Sequence, residues 1–219
     1  MASSSLNVTD FSEIKIILCV QGYSLEHQYF IREIGFWTKG ISGSIPFNCK
    51  LNEKKLDERS KLIIEESEKE INGIRLKKRV EAGLALSEAR AVLRTLYHLN
   101  SDSAAKYIGI CSDDYINGLL FNAGLGSYVR YLDNLFILQS KQIKCPTNEI
   151  IRMAMKQYPG NYEVCHLHDH YLKNNEIPLC AKLKAEFIAN FCLNMINSQE
   201  KDNATQFASI VYELNSISK

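Results

Sequence analysis

The stretch Ile14-Lys-Ile-Ile-Leu-Cys-Val-Gln-Gly-Tyr-Ser-Leu-Glu-His-Gln-Tyr-Phe-Ile-Arg-Glu-Ile-Gly-Phe-Trp37 decides how this chain folds. Ile14 to Val20 is a short apolar run rich in β-branched residues. It is too short for a helix and reads as a strand buried on both faces. Gln21-Gly22-Tyr23-Ser24 reads as a turn. Tyr29 to Trp37 then supplies a second strand, and the pair makes a hairpin.

Working outward, Lys39 to Pro46 reads as a loop. Asn52 is placed to cap a long helix over Glu53 to Ile71, with Leu56, Ile63, Ile71 and Ile74 close to one stripe. Arg75-Leu-Lys-Lys-Arg79 follows, read as a solvated turn, with phosphate contact the alternative. Leu86, Ala89, Leu93, Leu96 and Tyr97 mark an amphipathic helix. Tyr107 to Cys111 reads as another buried strand, and Ser112-Asp113-Asp114 opens a helix through Leu120. Gly124-Leu-Gly126 is a turn, because it lacks the third glycine and the spacing of a nucleotide-binding loop. Leu132 to Leu138 suits a strand. Pro146 to Tyr158 suits a short helix ended by Pro159-Gly160. Ala181 to Ser198 is a strong helix, with Leu183, Phe187, Ile188, Phe191, Met195 and Ile196 on one face.

The fold class expected is α+β, predominantly α-helical, with a small central sheet and an amphipathic C-terminal helix. Residues 1–197 form one domain, 198–203 a polar linker, and 204–219 a helical arm. Phe207, Ile210, Val211, Leu214 and Ile217 stripe that arm. A helix that short must bury its stripe on something, and a polar hinge before it suits exchange between molecules.

The bulk numbers narrow the partners. With 219 residues, 46% hydrophobic and 23% charged, the chain can bury a full core without cross-links. A net charge of +1 and a pI near 7.6 do not suit a surface built wholly for nucleic acid. Met1 to Glu13 lacks the pattern of a secretory signal, and no apolar run is long enough to span a bilayer, so a soluble intracellular product is expected.

Chemistry concentrates in Glu163-Val-Cys-His-Leu-His-Asp-His170 and the following segment to Cys180. Three of the five histidines and two of the seven cysteines lie there. One reading is metal. Cys165-x2-His168 with Cys180, and Cys145 as fourth ligand, is a closed Cys/His set of the kind structural zinc needs. A catalytic reading has His166 or His168 as base to a cysteine and Asp169 orienting it, but no oxyanion loop accompanies it. In the third reading, cysteines tie molecules together, with Cys49, Cys145, Cys165 and Cys180 the candidate disulfide residues. Cys19, Cys111 and Cys192 sit in apolar runs and read as small buried hydrophobes.

The opening hairpin sequence, with "KYIGICSDDY", "IKCPT" and "CHLHDHYLKNNEIPLCAKLKA", resembles insect and transposon-associated proteins with a ribonuclease H-like, exonuclease-like fold, including the Maelstrom type. In that group an acidic residue ends the first strand. Here the position is Cys19 or Val20, so the resemblance implies a nuclease centre that has been lost. A Cys-His-Cys arrangement before a helix occurs in the Maelstrom-type relatives too. A second resemblance is one of kind: a near-neutral chain of this size, rich in cysteine and tyrosine, is similar to occlusion-body (polyhedrin-type) proteins of insect viruses, nudiviruses among them.

The function expected first is a non-enzymatic, self-assembling matrix protein without cofactor. Its partners are itself and the virions embedded in the lattice, with no membrane and no nucleic acid. It would form inclusions in the host nucleus or cytoplasm and later an extracellular body. Eleven tyrosines and the thiols would turn anionic at strongly alkaline pH and drive release. The alternative is a nucleic-acid-binding protein with a degenerate ribonuclease H-like fold and structural zinc.

Overall fold

A computed structural model describes residues 8–25, 28–39, 41–48, 56–68, 83–99, 105–111, 114–132, 137–138, 143–144, 168 and 180–197. The opening stretch forms β1 (Ile14–Leu25) and β2 (Gln28–Thr38), paired antiparallel. β1 runs straight through the segment expected to turn. What Gly22 marks is a register shift between Gln21 and Gly22. A Cβ on Gly22 would lie 2.0 Å from the Phe30 carbonyl oxygen, so only glycine allows the two strands to meet there.

β3 (Ile41–Pro46) pairs antiparallel with β2 along its length. The sequence predicts a loop here, because Ser42-Gly43-Ser44 lacks strand propensity. Pairing with a well-formed neighbour overrides that weak local preference. After α1 (Glu58–Glu66) and α2 (Ala89–His98) come β4 (Tyr107–Ile110), α3 (Asp114–Asn122) and β5 (Val129–Tyr131). β4 lies parallel to β1 and β5 parallel to β4, giving a mixed sheet of order β3-β2-β1-β4-β5. A second pair, β6 (Ile137–Leu138) and β7 (Ile143–Lys144), is antiparallel. α4 (Ala181–Asn197) ends the described chain.

The class is therefore α+β, as expected, and among the described residues helix does not clearly dominate. Strands of twelve and eleven residues form the heart of a five-stranded sheet. Two further boundaries shift. α1 starts at Glu58, capped by Asp57, whose carboxylate accepts the Ser60 N–H at 2.7 Å, so Asn52 is not its cap. β5 ends at Tyr131, and Leu132, expected to begin a strand, follows it as a fully buried residue. The Leu86–Tyr97 helix, the Tyr107 strand, the helix at Asp114 and the Ala181 helix stand as expected. The 146–158 helix, the 198–203 linker and the 204–219 arm with Phe207, Ile210, Val211, Leu214 and Ile217 lie outside the described residues.

Alternation along β1 sends Ile16, Leu18 and Val20 to one face of the sheet. There they join Ile34, Ile108 and Ile110 beneath α2 and α3, with Leu93, Ile116 and Leu120 fully buried. Ile17 and Cys19 face the other way, where α4 lies across β1, β2 and β3. Leu183, Phe187, Ile188 and Phe191 are the buried face of α4. Helices on both faces explain why Ile16 to Val20 reads as a continuous apolar run.

A buried carboxylate, imidazole and thiol on the sheet

Two strand positions decide what happens under α4. Glu33 and Gly35 are two residues apart on β2 and so share a face. At Gly35 a Cβ would stand 2.0 Å from the Ala181 backbone carbon, so the start of α4 rests directly on the strand. That close approach brings the first N–H groups of α4 to Glu33. The Ala181 N–H donates to Glu33 Oε2 at 3.0 Å.

Glu33 is completely buried, an arrangement a carboxylate tolerates only when its oxygens are satisfied. Oε1 accepts the Ser44 hydroxyl of β3 at 2.7 Å and faces the Cys180 thiol at 3.5 Å. Oε2 lies 2.9 Å from His168 Nε2. The positive end of the α4 dipole adds to this. β3 is also tied to α4 directly, since the Ser42 hydroxyl donates to Glu186 of that helix.

Glu33, His168 and Cys180 form a buried group that could hold a metal ion, with one ligand atom each and all three atoms within 4.8 Å of one another. A tetrahedral zinc with bonds of about 2.0–2.3 Å keeps its donors roughly 3.3–3.8 Å apart, so the set closes on such an ion with small side-chain adjustments. The oxygen, nitrogen and sulfur offered are zinc's usual donors. His168 and Cys180 were legible in the sequence as members of one set. Glu33 was missed, although the one acidic residue of a largely apolar strand, two residues before a glycine on the same face, is a signal that something must meet it. Cys145, Cys165 and Cys49, as well as His166 and Asp169, lie outside the described residues, as does Arg75–Arg79.

The other cysteines divide. Cys19 and Cys192 are buried as expected, whereas Cys111 is only half-buried. Burial pushes the Cys192 thiol well above its ordinary value. No aspartate or glutamate occurs anywhere in β1.

At the N-terminal edge of the parallel strands, cations and rings gather. Lys15 lies over the Tyr97 ring at 4.6 Å, and Lys106 and Arg130 over the Tyr107 ring at 4.9 and 3.8 Å. Tyr97 also packs on Tyr128, with ring centroids 5.1 Å apart. Among the described residues no carboxylate pairs with Lys15, Lys106 or Arg130.

No protein-family model matches the chain, and neither does any curated protein. Among the described residues no helix is long and apolar enough to cross a membrane.

Proposed function

We propose that the chain is a non-catalytic nucleic-acid-binding module whose ribonuclease H-like sheet is clamped by a structural zinc. The observation that carries this reading is the buried Glu33–His168–Cys180 set. It joins β2 to His168 and the start of α4, with 135 residues of chain between Glu33 and His168. Zinc would act there as a structural cross-link, and Cys165, two residues before Leu167 and three before His168, is the natural fourth ligand. A mixed sheet that opens on an antiparallel hairpin is in keeping with the ribonuclease H-like resemblance. The absence of acidic residues from β1 removes the first carboxylate a two-metal nuclease would need.

Nucleic acid is the partner that the Lys15–Lys106–Arg130 face suits. Lys106 and Arg130 are exposed, and with the half-buried Lys15 they offer phosphate contacts near the exposed Tyr128 ring, a stacking surface. The competing matrix reading uses Cys180 as a cross-link. A thiol with no exposed surface, turned toward Glu33, favours the metal over that use.

Zinc content and binding of a fluorescent single-stranded 20-mer decide the matter. The expected result is about one zinc per chain, lost in Cys180→Ala and His168→Ala, with oligonucleotide affinity that falls as salt rises and weakens in Arg130→Ala. A zinc-free protein that forms insoluble crystals in insect cells and binds no oligonucleotide would overturn the proposal in favour of the matrix.

A further inference from the structure

Cys19 of β1 and Cys111, the residue after β4, have sulfurs 3.5 Å apart. Their meeting follows from the register. Leu18 stands beside Ile110 in the parallel pair, so the next residue on each strand is a cysteine. Adjacent strands lie about 4.7–4.9 Å apart. A disulfide needs Cα atoms roughly 4.4–6.8 Å apart, so the bond can close by side-chain rotation while the strands stay in place. The two thiols also differ in access. Cys19 is 2% exposed, whereas Cys111 is half-buried at the strand end, where a small reagent can reach it.

We infer that Cys19 and Cys111 are a reversible oxidation site that a hydroperoxide converts to an intramolecular disulfide. The Cys111 thiolate attacks the peroxide, takes one oxygen to become a sulfenic acid, and releases hydroxide or alkoxide. The Cys19 thiol then attacks that sulfur, the sulfur–oxygen bond breaks, and water leaves. Two electrons pass from the two sulfurs to the peroxide. A dithiol reductant restores the pair by exchange. The bond would join the antiparallel and parallel halves of the sheet across a chain separation of 92 residues. It does not depend on whether zinc is bound, because it involves neither Glu33, His168 nor Cys180.

Peptide mapping of the intact wild-type protein tests this. After brief exposure to about one equivalent of hydrogen peroxide and blocking with N-ethylmaleimide, non-reducing tryptic digestion should give residues 16–32 linked to 107–130, two peptides that carry one cysteine each. Dithiothreitol should separate them. In Cys19→Ala, dimedone should label Cys111 as sulfenic acid. The oxidised wild type should also unfold at a higher urea midpoint than the reduced protein, and this gain should vanish in Cys19→Ala. Maleimide on both residues after oxidation, or Cys111 linked to any other cysteine, would overturn the inference.

Discussion

Replacing Gly35 with alanine tests the contact on which the site depends. The added Cβ would stand 2.0 Å from the Ala181 carbon and 2.1 Å from the Lys182 nitrogen, where ordinary contact needs at least 3.4 Å. Both obstacles are backbone at the start of a helix, so no side chain can rotate away. α4 must retreat by more than an ångström or β2 must bow. Overpacking of this kind costs about 1–3 kcal/mol. The retreat also stretches the 3.0 Å bond from the Ala181 N–H to the buried Glu33 carboxylate, worth about 1.5–3 kcal/mol as a charge-assisted bond. The expected loss is therefore about 3–5 kcal/mol, a large part of a typical domain's stability. Equilibrium urea unfolding measures it, with Gly118→Ala as the partner variant. Nothing lies within 4 Å of a Cβ at Gly118, which is exposed on α3, so that change should stabilise by about 0.5–1 kcal/mol. A Gly35→Ala midpoint within error of wild type would refute the seating of α4 on the strand, and with it the route by which Ala181 and Cys180 reach Glu33.

Three further outcomes follow from single groups. Glu33→Gln keeps the volume but turns amide hydrogens toward donors. It should destabilise the metal-free protein by about 2–4 kcal/mol in the same assay and abolish stoichiometric zinc. Desolvation, and then the neighbouring Tyr128, raises Tyr97 above the ordinary tyrosine value, and its hydroxyl donates to the Lys106 carbonyl. Its stabilising effect is thus complete below the unfolded tyrosine value near 10 and is lost as pH climbs through the raised folded value. Thermal unfolding between pH 9 and 11 should fall more steeply for wild type than for Tyr97→Phe, and parallel curves would contradict this. Cys192, buried with its thiol pushed up, should react with iodoacetamide more slowly than the half-buried Cys111 in the native protein and no more slowly than it in urea.

The parts legible in the sequence were those whose surroundings repeat along the chain. Ile16 to Val20 lies between helices on both faces, so every position is apolar and the strand announces itself. α2 and α4 each rest one face on the sheet, and their stripes show it. β3 was hidden because its strand character comes from β2. Gly43 is needed where a Cβ would meet the Phe36 ring at 2.7 Å, and a glycine between two serines resembles a loop. The start of α1 was misplaced because charged residues run through Glu53 to Lys61 and only the Asp57 side chain marks the boundary. Of the site, His168 and Cys180 were visible as residue types that bind metal. Glu33 was not, since 135 residues separate it from His168 and no local pattern records a partner that distant.

The parallel placement of β4 beside β1 has a consequence for synthesis of the chain. β1 is finished early, yet its neighbour arrives only about ninety residues later, the spacing that separates Cys19 from Cys111. At roughly 5–20 residues per second, β1 waits some 5–20 s with one apolar edge unpaired. During that interval β2 guards the opposite edge, and the open side is the exposed strand most prone to wrong pairing. His168 and Cys180 emerge later still. The pocket around Glu33 can close only after nearly all of the sheet is in place, which makes its closure a late checkpoint of correct folding.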